Sequence, residues 1–284
     1  MFWKGAVFTR EGFVGKGIDL ESCSIVDNID GEENGIIIPL FRNCHTHLGD
    51  TLARKEMPNN LSLSELVGPN GWKHKWLENN DQRASAIAGL KEVVNSGTGL
   101  VMDFREGGKA GLDVFDNIEY PGKLILLGRP VGNEELTGIN AGISSLADVD
   151  NAVEITLSAR DKNGLIGIHH SENEREDVQP LLDLKPDFAV HMCYASDDDL
   201  KKIKANNISI VVCPRSNHYF GNRPPLEKMI ELGIDIGIGT DNGMLCTANI
   251  MDEIHFIRRE YDSLGLETIL SIACFGLDDI FNKD

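Results

Sequence analysis

The chain has 284 residues, of which 27 are basic and 45 acidic, so its formal charge is −18; 41% of it is hydrophobic and 25% charged. This is an ordinary globular composition, and the negative charge, without any Lys/Arg run, disfavours nucleic acid and anionic membrane as partners. No apolar run approaches the roughly 20 residues of a membrane span.

Met1 to Gly15 carries Lys4, Arg10 and Glu11 within it, so a secretory signal is not expected. Residues 1–35 are Gly-rich and strand-like, with turn chemistry at Glu11-Gly12 and Asp30-Gly31, and read as a small β appendage. From Ile36 onward, short apolar runs alternate with helix-like stretches, the pattern of parallel strands joined by crossover helices. The eight runs are Ile36 to Asn43, Gly99 to Phe104, Lys123 to Leu127, Gly138 to Ser144, Leu165 to His169, Phe188 to His191, Ile208 to Cys213 and Ile234 to Thr240. They predict an α/β fold, a closed (β/α)8 TIM-like barrel over residues 36–284, although the fourth run also reads as loop.

Between the runs, the clearest helix is Asp81 to Asn95, with Ala84, Ile87, Ala88, Leu90, Val93 and Val94 at helical spacing and a stop at Ser96-Gly97. The stretch Leu61 to Asn80, which holds Trp72, His74 and Trp76, reads either as a lid whose aromatics cover a flat ring or as a surface helix. Ser263 to Asp284 reads as a helical tail. Six scattered cysteines without CxxC pairing point to a reducing cytoplasm.

Chemistry gathers at the ends of these runs. His45 and His47 in Asn43-Cys44-His45-Thr46-His47 stand two apart, so a strand would present both on one face about 6.5 Å apart. Alone, such a pair reads equally well as surface histidines. His169, His191 and Asp241 also close runs, and a barrel brings the carboxyl ends of its strands to one rim. Singly, His191 reads as a core histidine and Asp241-Asn242-Gly243 as a turn; jointly, coincidence is the weaker account. Three imidazoles and a carboxylate suit one divalent metal, zinc first, with iron or manganese as other choices. Such an ion lowers the pKa of a bound water from about 15.7 to near 7. Glu172, three residues past His169, is the nearest general acid/base and equally suits a helix amino terminus.

The ordered set His45-x-His47, His169-x-x-Glu172, His191, Cys213-Pro214-Arg215-Ser216-Asn217 and Gly239-Thr240-Asp241 resembles the amidohydrolase superfamily. The likeness is to the branch of cytosine deaminase, chlorohydrolases and S-adenosylhomocysteine deaminase. It implies that His45, His47, His169 and Asp241 hold one metal, while Glu172 and His191 flank the bound water. His169 is preferred to His170 because its spacing to Glu172 matches the family. Binuclear relatives use a carboxylated lysine at the end of the fourth strand; Gly138 to Ser144 has none, which implies a mononuclear site. The implied reaction is attack of metal-bound hydroxide on an sp² carbon of an aminated purine, pyrimidine or nucleoside-like ring, with Glu172, His191 and Asp241 as catalytic groups. A hydrolase of a cyclic amide or halogenated ring, or a barrel that binds without turnover, are the alternatives. Relatives are commonly longer, with a β-sandwich that the amino-terminal strands here supply only in reduced form.

For substrate contacts, Arg105, Arg129 and Arg215 fall just past predicted strands and could bind a carboxylate, or pair with local acidic groups. His74 and Trp76 are the lid candidates. Cys44 and Cys213 read as packing residues, because alternation points Cys44 away from the face of His45 and His47. A small-molecule substrate and a symmetric dimer complete the expectation.

Overall fold

Each apolar run does form a strand, and the strands pair in the order in which they occur. The structure is a computed structural model that describes residues 2–15, 17–26, 35–68, 70–130, 133–147 and 149–281. Strands Phe41–His47, Thr98–Arg105, Lys123–Gly128, Asn140–Ile143, Ile166–His170, Phe188–His191, Ser209–Val212 and Ile236–Ile238 lie parallel, each beside its predecessor. A short ninth strand, Asp241–Asn242, extends the eighth beyond Gly239-Thr240 and pairs with Thr46 and His47 of the first. Ile236–Ile238 bonds to the seventh strand, so the two pieces together bring the sheet round on itself as a TIM-like barrel. At this seam a Cβ on Gly239 would sit 2.6 Å from that of His45, so only glycine allows the approach.

The barrel interior follows the two-residue period of its strands. Met102 and Phe104, Ile125 and Leu127, Phe188 and Val190, Val211 and Cys213 pack together and are plugged by Leu277 and Ile280. Alternate residues such as Ile168, Ile210 and Val212 face outward into a second layer with the helices. Helix Gln82–Asn95 is capped by the Asp81 carboxylate, which accepts from Ala84 N at 3.0 Å, and ends before Gly97 at φ 74°. It buries Ala86, Leu90 and Val93 against Leu48 and Val101.

Four details differ from expectation. The first run is two strands: Ile36–Ile37 pairs with Ala6–Thr9, and the barrel strand begins at Phe41, because Pro39 lacks the N–H a continuous ladder needs. Among the described residues no helix joins the third and fourth strands. The tail is two helices, Leu266–Phe275 and Asp278–Phe281, broken at Gly276-Leu277. Before the barrel lie two small three-stranded sheets; the turn at Glu11-Gly12 joins two of their strands, while Asp30-Gly31 lies outside the described residues. Phe8 of these strands is buried near Phe275 of the penultimate helix, ring centroids 6.0 Å apart.

Candidate active site

His45 and His47 end the first strand, His169 the fifth and His191 the sixth, while Asp241 opens the segment that closes the barrel. His45 Nε2 lies 3.2 Å from His169 Nε2 and 3.2 Å from Asp241 Oδ1, and His47 Nε2 lies 3.5 Å from the same oxygen. Neighbouring ligands of a tetrahedral zinc ion with bonds of 2.0–2.1 Å stand about 3.3 Å apart, so these separations match an edge of such a site. His191 and Asp241 hold left-handed backbone, φ 74° and 59°, a conformation costly for residues with a Cβ and frequent where side chains are aimed at chemistry.

Protonation favours ligation. Burial pushes His47 down to about 3 and holds His45 and His169 below the ordinary imidazole range, so all three are neutral near pH 7. Burial opposes the charge on Asp241, but its bond to His45 and the neighbouring imidazoles hold its carboxyl well below the usual range. His169 Nδ1 lies 2.8 Å from the carbonyl oxygen of Ile143; donation there leaves the Nε2 lone pair facing the cluster. Phe104 supports both rings edge-on, 4.5 Å from His45 and 5.0 Å from His169.

Around this cluster lies an outer ring of polar groups. Ser216 donates to Asp241 Oδ2 and Asn242 Nδ2 to Asp241 Oδ1. The Asn217 amide meets His191 Nδ1 at 3.0 Å, and His191 Nε2 is 3.6 Å from Glu172 Oε2. Burial raises the Glu172 carboxyl, as a group that both takes and gives protons requires. These groups open onto a cleft of about 320 Å³ lined by His47, Lys73, Arg129, Glu172, His191 and Asp241 among others. A wider hollow of about 600 Å³, lined by Phe8, Ile236 and Phe275, lies beside the start of the eighth strand and holds none of them.

The sequence model of the amidohydrolase family matches residues 146–282. An aminohydrolase-named protein of Archaeoglobus fulgidus is 35% identical over 99% of this chain and 88% of its own length. The chain belongs to the amidohydrolase family. A 5-methylthioadenosine/S-adenosylhomocysteine deaminase of Caldicellulosiruptor saccharolyticus is 26% identical over 78% of this chain and 60% of its own. The crystal structure of guanine deaminase from C. acetobutylicum with bound guanine is similar in fold, with a TM-score of 0.72 at 17% identity over 99% of this chain and 86% of that one. This amidohydrolase is thus a hydrolytic enzyme acting on C–N bonds.

The expected substrate contacts fare differently in the amidohydrolase barrel. Arg129 lines the cleft, bonded to Glu106 through Nη1 at 3.0 Å, and its buried Nε has no partner among the described residues. Arg105 does not reach the cleft; it is fully buried on the outward face of its strand, bonded to Gln82 at 3.0 Å and 3.4 Å from Asp103. Asp103 in turn accepts from Thr46 Oγ1 and Leu48 N, so this arginine braces the strand that carries His45 and His47. Arg215 also points elsewhere, paired with Glu253 at 2.7 Å and bonded to Thr247. Trp76 covers no ring: it packs with Leu66, Leu77 and Met244 and donates to Glu56. His74 is half-buried on the helix Trp72–Asn79, outside the cleft lining. His170 turns from the cluster to Ser171 and the Asp177 carbonyl.

Cys44 corrects the alternation argument. The ladder shifts register between Asn43 and Thr46, and the thiol packs inside the barrel near Gly237 and Leu277, with burial pushing it up to about 12. Its reading as a packing residue stands on that burial. Two site residues escaped the sequence reading: Lys73 and Glu106, both buried at the rim. Ser216 and Asn217 sat in a quoted motif without assigned work.

Proposed function

We propose that this chain deaminates an aminated purine, pyrimidine or nucleoside-like ring with the help of one divalent ion. The observation that carries the reading is the crowding of His45 Nε2 against His169 Nε2 and Asp241 Oδ1, each at 3.2 Å, with His47 Nε2 3.5 Å from the same oxygen, beside the Glu172 and His191 pair. Three neutral nitrogens and an ionised oxygen suit zinc, with iron or manganese as other occupants. The fourth barrel strand, Asn140–Ile143, offers no lysine to bridge a second ion, which supports a mononuclear site. When bound, the ion supplies a water acidified to near neutral pH.

The protein's own groups then handle the protons. Glu172 takes a proton from the attacking water and delivers it to the ring nitrogen beside the reacting carbon. His191, with Nδ1 engaged by Asn217, orients the water from the other side. Asp241, steadied by Ser216, accepts the remaining proton and passes it to the departing amine, so that ring C–NH2 and water become ring C=O and ammonia. Burial of the cluster strengthens each of these interactions. Arg129 is the substrate contact we retain from the sequence reading, facing a carbonyl or carboxylate of the ring. We read residues 1–35 as an appendage, since every group of the site comes from the barrel. Six free cysteines suit a reducing cytoplasm.

An ammonia-release screen over adenine-, guanine- and cytosine-type bases and nucleosides tests the reading. Release from one class at a turnover abolished by chelation supports it. Product formed without ammonia, from a cyclic amide or halogenated ring, would replace it.

A further inference from the structure

We propose that Glu106 is the positioning residue for His47 and that, through His47, it sets how tightly the site holds its ion. The inference rests on the metal reading above. Glu106 follows the second strand directly and is 6% exposed. Its Oε1 gathers three groups: Lys73 Nζ at 2.5 Å, His47 Nδ1 at 2.9 Å and Arg129 Nη1 at 3.0 Å. The approach of the imidazole is oblique, so His47 Nδ1 has no fully aligned hydrogen bond among the described residues.

A carboxylate in that place favours the tautomer with its proton on Nδ1. His47 Nε2, 3.5 Å from Asp241 Oδ1, is then left with its lone pair toward the other donors. His169 reaches the same state through the Ile143 carbonyl; His47 has Glu106 in that place. An anionic acceptor also makes the imidazole a more basic ligand than a neutral one does. The cluster accounts for Lys73, an ammonium carried by helix Trp72–Asn79 and only 1% exposed at a rim otherwise built from strand ends. Lys73 and Arg129 balance Glu106, and Lys73 donates onward to Asn242 at 2.7 Å, whose amide donates to Asp241. Two of the four proposed ligands are therefore held by one connected network.

The test is a zinc titration of metal-free protein against a chromogenic chelator, for wild type, Glu106→Leu, Glu106→Gln and the double variant Lys73→Met/Glu106→Leu. Loss of an outer partner of a metal-bound histidine typically weakens binding about 10–100-fold, and that is the effect expected for Glu106→Leu. Glu106→Gln keeps an acceptor for Nδ1–H but not the charge, and is expected to fall between Glu106→Leu and wild type. The double variant is expected to stay weak, because removing the stranded ammonium returns no partner to His47. Wild-type affinity in Glu106→Leu, or its recovery in the double variant, would overturn the proposal. The near-isosteric Glu106→Gln decides the matter should the leucine variant not fold: zinc affinity equal to wild type there is equally fatal. A purely structural role would lower the melting temperature of the metal-free variants without moving their zinc affinity. Wild-type protein that takes up no zinc would sink the metal reading and this inference together, whereas normal uptake by wild type and variants alike sinks only the inference.

Discussion

The Nε2 atoms of His45 and His169, 124 positions apart in the chain, face each other at 3.2 Å in the barrel mouth. Asp241 Oδ1 stands at the same distance from the His45 atom. A single proton on His45 Nε2 can serve only one of these two neighbours at a time, whereas a cation between the three atoms serves them all. Zinc should therefore raise the melting temperature of metal-free protein, by a free energy of about 2.7 kcal/mol when the free ion is at a hundred times its dissociation constant. Calorimetric scans with and without zinc check this, and His169→Asn should respond far less.

Glu172 is 3.6 Å from His191 Nε2, outside the four-residue cluster. Glu172→Gln should lower kcat by about 10²–10⁴-fold, the span of general acid–base catalysis, while metal content stays at the wild-type level. Steady-state ammonia release combined with elemental analysis separates the two quantities. Activity that survives the change removes Glu172 from the mechanism.

The arginines should part ways. Arg129→Met is expected to raise KM about 10-fold or more, since a hydrogen bond from a charged donor contributes about 1.5–3 kcal/mol. Arg215→Met strands the fully buried Glu253 and should cost about 3–5 kcal/mol of stability. Its KM per folded molecule should be unchanged. Chemical denaturation and initial-rate kinetics on both variants test the contrast.

Asp50 supplies a pH dependence. Burial lifts its carboxyl to about 7, against the opposing charge of Lys73 at 3.5 Å, and its Oδ2 accepts no hydrogen bond among the described residues. The folded state therefore holds a proton that the unfolded chain releases near pH 4. Over that window the folded form binds more protons, so this group makes stability fall as pH rises, by at most about 1.4 kcal/mol per pH unit. Asp50→Asn removes the effect. The melting temperature of metal-free Asp50→Asn relative to wild type should thus increase from pH 5 to pH 8; a constant difference would contradict the assignment.

Much of the site was legible because its residues end apolar runs. Parallel strands buried on both faces read as uninterrupted hydrophobic stretches, and the position just after each stretch is the barrel rim, so His47, His169, His191 and Asp241 announced themselves. The arginines misled because sequence shows a charge and not its partner. For Arg105 alternation held the signal: Phe104 points into the barrel, so its neighbour points out. Cys44 shows the converse, since a register shift near Asn43 is invisible in the residue pattern and breaks the alternation that located it. Lys73 and Glu106 were hidden for another reason. One lies on a connecting helix, the other just past a strand, and only tertiary packing joins them to His47. Pro39, inside the first run, did carry the cue that the run is two strands.

A crystal of zinc-loaded protein, examined by anomalous difference at the zinc edge, tests the central claim most directly. The account predicts one peak per chain, about 2.0–2.2 Å from His45 Nε2, His47 Nε2, His169 Nε2 and an Asp241 oxygen. Absence of a peak from that position, with zinc bound elsewhere or not at all while the enzyme still releases ammonia, would contradict it.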